Sequence, residues 1–208
     1  YPITLFKGKN IGFATANNFL AERSKGKYLF ILNPDTKLKD GCLDLLVNNP
    51  SKDEAILMPK QLFFDGRYIS CGMGADIFGY PNRSEKIFYA DGAAIFISQK
   101  IFFTLGMFDK NLFMFGEDID LSWKAHLFGI PLVKEKEAIV FHYGGGSIEG
   151  GGLKDSIYTT NTFRRYLGER NNIANLYKNY SYATLAWVFP LYMIINLCEI
   201  LFFLFILK

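Results

Sequence analysis

Side chains that could carry out chemistry occur at three separated points of the chain, each where a strand or a helix is predicted to begin or end. One carboxylate follows the apolar run LFIL, three acids open the segment EDIDLSWKAHLFG, and one imidazole ends the run AIVFH. These residues are Asp35, Glu117, Asp118, Asp120 and His142. Each also has an ordinary structural explanation, because Asn-Pro-Asp sequences form turns and acids in a first helical turn complement the helix dipole.

Taken together, these residues are suited to phosphate chemistry assisted by a divalent cation. Mg²⁺ or Mn²⁺ binds carboxylate oxygen readily, and Asp35 with His142 would suffice as protein ligands if a diphosphate supplied the others. A carboxylate at 117–120, kept off the metal, could take a proton from an incoming hydroxyl. The glycine-rich segment 144–152 is expected to be a mobile loop able to close over the phosphates. Arginines that could hold phosphate oxygens follow downstream at Arg164, Arg165 and Arg170.

The elements that would position these side chains alternate along the sequence. Apolar runs typical of buried strands are interleaved with segments whose apolar residues recur at helical intervals, which predicts a doubly wound α/β architecture. In such folds ligands bind at the carboxyl ends of the strands, where Asp35 is expected. The strands are predicted at 3–6, 27–32, 54–59 and 91–98, with two more short ones within 130–143. The helices are predicted at 10–26, 41–49, 99–108, 117–129 and 158–180, with irregular strands and loops at 61–90.

Composition narrows the class of protein. Half of the 208 residues are apolar, which excludes a disordered chain, and the net charge of +3 does not indicate a nucleic-acid partner. The three cysteines are widely separated, as expected of reduced thiols in a cytosolic compartment. Residues 183–207 carry Glu199 as their single charge and are long enough to span a bilayer. Because Pro190 and Asn196 interrupt this run, an interfacial helical hairpin and a helix in a soluble core are alternatives.

Six motifs together resemble one enzyme family. They are NIGFATANN, YLFILNPDT, DGAAIFIS, GMFDKNLFMFGEDIDLSWKAHLFG, FHYGGGSI and RYLGERNNIANLYKNYS. From about residue 7 to residue 181 the chain resembles the inverting glycosyltransferases of family 2, in particular the rhamnosyltransferase-like branch. The resemblance implies an α/β fold of the GT-A type, in which a Rossmann-like half that binds a nucleotide-diphospho-sugar is joined to a half that binds the acceptor, here followed by a C-terminal hydrophobic helical segment.

The resemblance also implies roles for individual residues. Asn33 and Asp35 stand where the family has its Asp-x-Asp metal motif, which leaves Asp35 as the metal-binding carboxylate, and His142 matches the histidine that completes the metal site. The second acid of the GED stretch matches the general base, which assigns Asp118, and Glu117 would orient that base. Donor binding is expected of Asn10, Gly12, Asn18, Asn33 and Asp35, acceptor binding of Asp91, Asp120 and Trp123, and phosphate binding of Arg164 and Arg170. Trp123 is also typical of a helix core.

The implied function is the transfer of a hexosyl group such as rhamnose from a nucleotide-diphosphate sugar to a glycan or lipid-linked acceptor, with inversion and with Mg²⁺ or Mn²⁺ as cofactor. Such an enzyme of cell-envelope polysaccharide biosynthesis would work at the cytoplasmic face of the cell membrane.

The expected organisation is a catalytic domain at 1–157, a helical extension at 158–182 and a membrane-associated segment at 183–208. The family's first strand, which carries the acid that contacts the nucleotide base, is not present in this sequence, so an N-terminally truncated domain is expected. Two alternatives stay open: a membrane-bound protein that keeps the fold without turnover, and a nucleotidyltransferase on a similar scaffold.

Overall fold

The computed structural model describes residues 3–143, 152–154, 157–159 and 161–206, and it alternates strands and helices largely as predicted. In chain order the elements are α1 Phe13–Arg23, β1 Tyr28–Leu32, β2 Thr36–Leu38, α2 Cys42–Asn48, β3 Ile56–Leu62, β4 Tyr68–Ser70, β5 Gly74–Ala75, β6 Pro81–Asn82, β7 Ala94–Ser98, α3 Gln99–Thr104, a 3₁₀ turn at Lys110–Leu112, α4 Glu117–Leu127, β8 Leu132–His142, β9 Gly152–Lys154, β10 Ile157–Thr159, α5 Thr162–Asn179 and α6 Tyr182–Ile206. The segment 61–90 carries the end of β3 and the short strands β4 to β6, in agreement with its irregular sequence.

Six strands form the central sheet, in the order β1-β7-β3-β8-β2, with β4 also paired to β3. β3 and β8 are parallel, whereas β7 runs antiparallel to both β1 and β3, and β2 runs antiparallel to β8. The sheet is therefore mixed rather than all-parallel, and the predicted α/β architecture of apolar strands covered by helices is confirmed. β8 is one strand whose register shifts opposite Pro59 and Lys60, where two short strands are predicted from the sequence. The strand predicted at 3–6 does not form, and Ile3 and Leu5 are exposed there.

Apolar clusters cover both faces of the sheet. On one face Leu29, Ile31 and Ile95 pack against α1, α3 and α4, and on the other face Leu57 and Phe96 pack against α2. Burial on both faces explains why these strands are continuously apolar rather than alternating. Because each buried large side chain contributes about 1.5–3 kcal/mol, the sheet is a stable support for the side chains at its ends.

The last two helices pack beside α4 through a third apolar cluster that includes Trp123, Leu176 and Tyr192. The predicted apolar helix is confirmed as α6, which continues through Pro190. Within the described chain, one helical segment is long and apolar enough to cross a membrane. It is Tyr182–Phe202 of α6, whose most apolar stretch has a mean hydropathy of 1.9 and is 11% buried. The boundary predicted between residues 157 and 158 falls inside β10.

Candidate active site

Asp35 and His142 lie side by side at one end of the sheet. Asp35 belongs to the turn between β1 and β2, which is closed by a hydrogen bond from the Thr36 hydroxyl to the Asn33 carbonyl (2.7 Å). β2 pairs with β8 so that Thr36 is opposite His142, and the Tyr143 amide donates to the Asp35 carbonyl (3.0 Å). This pairing places the imidazole Nε2 3.3 Å from a carboxylate oxygen of Asp35.

The Asp35–His142 pair suits a cation. Both carboxylate oxygens of Asp35 and Nδ1 of His142 are buried and, the 3.3 Å contact to His142 Nε2 aside, no described residue gives them a hydrogen-bond partner. Buried oxygens without partners are costly, and a bound cation would relieve that cost. Asn33 Nδ2 faces the same point, 3.5 Å from His142 Nε2. No group of three or more His, Cys, Asp or Glu side chains within the described ranges could hold a metal, so a cation here would need further ligands from a bound molecule such as a diphosphate.

A short turn at residues 91–93 connects this pair to the acidic helix α4. The Asn33 amide donates to the Ala93 carbonyl (3.0 Å), and the Gly92 amide donates to the Asp118 carboxylate (2.9 Å). A Cβ atom on Gly92 would lie 3.2 Å from that carboxylate oxygen, so glycine allows the close approach. The turn therefore contacts both the strand end that carries Asp35 and the helix start that carries Asp118.

The two carboxylates at the start of α4 have raised pKa values. Burial and the nearby Asp91 carboxylate raise the pKa of Asp118 to about 6, although the backbone amides of Gly92 and Ile119 donate to its oxygens and oppose this rise. Burial and the Asp118 charge raise the pKa of Glu117 as well. A carboxylate with a pKa close to the working pH is suited to general acid–base chemistry. Asp118 is the less buried of the two, and it is therefore the better candidate for contact with a substrate.

The backbone that leads into α4 is held in an unusual conformation. Phe113 and Phe115 have positive φ angles of 61° and 71°, which side chains with a Cβ atom rarely adopt. Asn171 of α5 donates from its carboxamide to three carbonyls of this loop at 2.6–2.9 Å, and Asn175 donates to the carbonyl of Gly116 (2.8 Å). Sequence reasoning missed both asparagines; the signal that marks them is the run NNIAN, with three carboxamides within five helical residues.

The residues expected to bind the donor separate into two groups. Gly12 has a φ of +85° and approaches Phe113 so closely that a Cβ atom would meet the ring at 2.5 Å, which brings the start of α1 against the loop before α4. Asn10 is exposed, and its side chain accepts a hydrogen bond from the Gly12 amide. Asn18, in contrast, is buried and pairs with both the amide and the carbonyl of Phe108. Asn18 is thus a structural clamp, which corrects its expected role in donor binding.

Two of the residues expected at the acceptor site are structural. The carboxylate of Asp120 is fully buried between the ammonium groups of Lys124 (3.1 Å) and Lys178 (2.8 Å), so it joins α4 to α5 and has no surface left for an acceptor. Trp123 is also buried, and its ring meets the Tyr180 ring edge-on with centroids 4.7 Å apart. Both expected acceptor contacts are therefore corrected.

Asp91, the third residue expected to contact the acceptor, lies in the turn beside Asp118. Its carboxylate accepts hydrogen bonds from the Ser70 hydroxyl and the Ala93 amide, both at 3.0 Å. It is therefore placed to act on the acidic pair through its charge. The glycine-rich loop predicted at 144–152 falls outside the described residues at 144–151, and its closure stays a prediction.

The two arginines expected to bind phosphate differ in their surroundings. Arg164 is buried with its guanidinium 5.1 Å from the centroid of the Phe115 ring, and no acceptor in the described part of the chain pairs with its Nε or Nη1. A buried guanidinium with two unpaired nitrogens is suited to an anion. Arg170 instead donates to the carbonyls of Asn111 and Leu112, so it holds the loop before α4, which corrects its expected phosphate contact.

Comparison of the sequence with known proteins gives distant relatives. No protein-family profile matches the chain. Curated relatives include the O-antigen biosynthesis protein RfbC of Myxococcus xanthus, 21% identical over 183 residues that cover 77% of this chain and 14% of that protein. They also include the low-salt glycan biosynthesis hexosyltransferase Agl10 of Haloferax volcanii, 22% identical over 135 residues that cover 57% of this chain and 44% of that protein. The chain therefore spans less than half the length of either relative.

Comparison of the structure with solved structures identifies the fold. The crystal structure of GalNAc-T7 with UDP, GalNAc and Mn²⁺ matches with a TM-score of 0.61 and 18% sequence identity, over 82% of this chain and 35% of that chain. The mixed sheet flanked by helices is accordingly a fold of the GT-A type, as the sequence motifs predicted, with one apolar helix added at its C-terminal end.

Proposed function

We propose that the chain is the catalytic part of a glycosyltransferase that moves a hexosyl group from a nucleotide-diphosphate sugar to a glycan acceptor with inversion. The observation that carries the proposal is the 91–93 turn, which contacts both the strand end with Asp35 and His142 and the helix start with Asp118. The naming of distant relatives as O-antigen biosynthesis protein and hexosyltransferase supports a sugar-transfer reaction. A rhamnosyl donor remains part of the proposal on the strength of the sequence motifs.

In this reaction Asp118 acts as the general base. The acceptor oxygen forms a bond to the anomeric carbon while the bond from that carbon to the diphosphate oxygen breaks, and the hydroxyl proton passes to the Asp118 carboxylate. The amides of Gly92 and Ile119 hold the two carboxylate oxygens in place, and burial raises the pKa of the group to about 6. Such a base is largely ionised at neutral pH and still basic enough to share the proton in the transition state.

The leaving diphosphate binds at the Asp35–His142 pair in this proposal. The buried, unpartnered oxygens of Asp35 and the imidazole of His142 would hold Mg²⁺ or Mn²⁺ together with phosphate oxygens. A bound divalent cation supplies stabilisation of the negative charge that develops on the diphosphate. The buried guanidinium of Arg164, whose Nε and Nη1 have no acceptor within the described chain, is a second candidate contact for that charge. GalNAc-T7 was crystallised with Mn²⁺ and UDP, which agrees with this ligand chemistry on a similar fold.

We also propose that α6 attaches the protein to the cytoplasmic face of the membrane, where it would meet a lipid-linked acceptor. One stripe of α6 faces the folded domain: Val188 and Tyr192 are buried, and Glu199 forms an ion pair with Arg165 of α5. The remaining surface is apolar and exposed. Since the docked stripe covers more than three helical turns, a helix that lies along the membrane surface fits this arrangement better than one that crosses it alone.

Transfer and hydrolysis assays with a panel of sugar nucleotides, with and without EDTA, test the proposal. We expect metal-dependent release of free UDP, dTDP or GDP. Asp118→Asn should reduce transfer by about 10²–10⁴-fold while nucleotide binding survives, because only the base is lost. Asp35→Ala should instead weaken nucleotide binding in the presence of Mn²⁺ and change little in its absence.

Normal turnover by Asp118→Asn would remove that residue from the role of base. Equal nucleotide affinity with and without Mn²⁺ in the wild-type protein would remove the metal site. Absence of nucleotide binding under all conditions would favour a protein that keeps the fold without turnover, and release of diphosphate from a nucleoside triphosphate and a sugar phosphate would favour a nucleotidyltransferase.

A further inference from the structure

A cleft lies beside the start of α4, on the side formed by α5. It has a volume of ≈ 350 Å³ and is bounded by Tyr80, Gly116, Gly168, Glu169, Asn172 and Asn175, among others. Its wall includes Phe115, Gly116 and Ile119, and these residues flank Glu117 and Asp118 in the sequence. The cleft is therefore adjacent to the helical turn that carries the acidic pair.

Two buried carboxamide oxygens, of residues that line this cleft, receive no hydrogen bond within the described chain. Asn172 donates from Nδ2 to the Phe78 carbonyl (2.7 Å), and Asn175 donates from Nδ2 to the Gly116 carbonyl (2.8 Å). These bonds fix the orientation of both amides, because a flipped amide would place oxygen against a carbonyl. The Oδ1 atoms of Asn172 and Asn175 are left without a partner among the described residues, although the two residues are 7% and 1% exposed. Unpaired buried acceptors of this kind are suited to hydroxyl donors of a ligand.

A third acceptor in the cleft is the carboxylate of Glu169. One of its oxygens receives hydrogen bonds from the hydroxyls of Tyr80 (2.7 Å) and Tyr192 (2.9 Å), which hold the carboxylate in place. Fixed acceptors together with apolar wall residues such as Pro81 and Ile119 suit a neutral ligand that carries several hydroxyl groups and an apolar ring face. Arg165 also lines the cleft, but its guanidinium is paired with Glu199, so the Glu169 carboxylate makes the cleft less favourable for a phosphate or another anion.

We infer that this cleft binds a sugar ring of the acceptor glycan, with ring hydroxyls donating to Asn172, Asn175 and Glu169. The inference rests on the proposed glycosyltransferase function and adds the site and the chemical class of its second substrate. Arg165 and Glu169 also border a neighbouring cavity whose other wall is formed by Ile200 and Leu204 of α6. An acceptor bound in the cleft would thus have an apolar surface next to it, as a lipid-linked glycan requires.

Gly168 allows the cleft to be filled without disturbing the fold. A Cβ atom at this position would meet no atom of the described residues outside its own helical segment within 4 Å, and glycine is a poor helix former in the interior of α5. Gly168→Leu should therefore fold normally and occupy the space of the sugar ring. The matched control is Tyr177→Leu, on the same helix, where the side chain is 68% exposed. Glu169→Ala is a second variant, which removes an acceptor without adding volume.

The experiment measures binding of methyl glycosides of rhamnose, glucose, galactose and N-acetylglucosamine to the whole chain by ligand-observed NMR titration. We expect at least one glycoside to bind the wild-type protein, with affinity at least about tenfold lower in Gly168→Leu, about fivefold lower in Glu169→Ala and unchanged in Tyr177→Leu. The inference would be overturned if no glycoside bound the wild type. It would also be overturned if both cleft variants bound a glycoside as tightly as the wild type does.

Nucleotide binding measured on the same wild-type sample separates this inference from the proposed function. If the glycoside binds the cleft but no nucleotide binds in the presence of Mn²⁺, the carbohydrate site stands and the glycosyltransferase proposal fails. If a nucleotide binds and no glycoside does, the transferase proposal stands and the cleft assignment fails.

Discussion

The pH dependence of transfer is the most direct test of the acidic site. Asp118 must be ionised to take the proton, and its pKa is raised to about 6. At this pKa about nine-tenths of the carboxylate is ionised at pH 7 and about one-tenth at pH 5, so that kcat/KM should fall about tenfold between the two. An aspartate with an ordinary pKa near 3.9 would lose less than about a tenth of its activity over the same range.

Asp91→Asn tests the physical cause of this dependence. The substitution removes a negative charge that raises the pKa of Asp118, so the acidic limb of the profile should move to lower pH. The limb should not reach the position of an ordinary aspartate, because burial of Asp118 is unchanged. The new carboxamide can still accept from the Ala93 amide, so the turn should be retained. The control is Asp65→Asn, which neutralises an exposed carboxylate paired with Arg67 and should leave the limb in place.

The assay is kcat/KM for transfer at constant ionic strength from pH 5 to pH 8, in the wild type and both variants. A profile that is flat between pH 5 and pH 7 would contradict the assignment of Asp118 as the base. The electrostatic explanation would be refuted if Asp91→Asn left the acidic limb of the pH profile unmoved, or if Asp65→Asn moved that limb by the same amount. The assignment of Asp118 as the base would then be decided by the Asp118→Asn test.

Three further predictions concern two supports of the site and the exposed surface of α6. Asn171→Ala should lower the free energy of unfolding, measured by urea denaturation, by about 2–3 kcal/mol, because three carbonyls of the strained loop lose their donor. The variant should also reduce kcat more than nucleotide affinity, and an unchanged kcat would argue against a positioning role for Asn171. Gly12→Ala should lower the free energy of unfolding by about 1–3 kcal/mol, because the added Cβ atom clashes with Phe113. The control is Gly8→Ala, whose Cβ atom would meet no atom of the described residues within 4 Å, and equal melting temperatures of the two variants would contradict the contact. Phe205→Glu, at a position of α6 that is 76% exposed, should reduce co-flotation with anionic lipid vesicles, whereas unchanged flotation would speak against membrane attachment through this helix.

Local sequence patterns predicted most helices and strands, because the spacing of apolar residues within each element reflects which of its faces are buried. The runs that became β1 and β7 are continuously apolar since both of their faces are covered. The run at 3–6 has the same apolar character, yet it forms no strand and stays exposed. An apolar run indicates that burial would be favourable, but pairing also requires a neighbouring strand, and the sequence of the run does not specify one.

The polar residues were harder to interpret, because one residue type can serve chemistry or structure. Asp35 and Asp120 are both acids next to element ends, but the Asp35 carboxylate forms no hydrogen bond within the described chain and contacts the His142 imidazole, while Asp120 is paired with two lysines. Asn18 is a clamp for the backbone of Phe108, whose position in the sequence is 90 residues away. Asn171 holds a loop 56–59 residues away. Partners at such separations leave no local pattern.

The amino-acid order alone placed a carboxylate after β1, an acidic pair at the start of α4 and an imidazole at the end of β8, because strand ends and helix starts follow from local periodicity. The packing of the sheet decided that Asp35 meets His142, that the 91–93 turn reaches Asp118, and that Asp118 carries a raised pKa. The physical reason is that ionisation and hydrogen-bond satisfaction depend on burial and on neighbouring charges, and these are set by contacts between segments far apart in the chain.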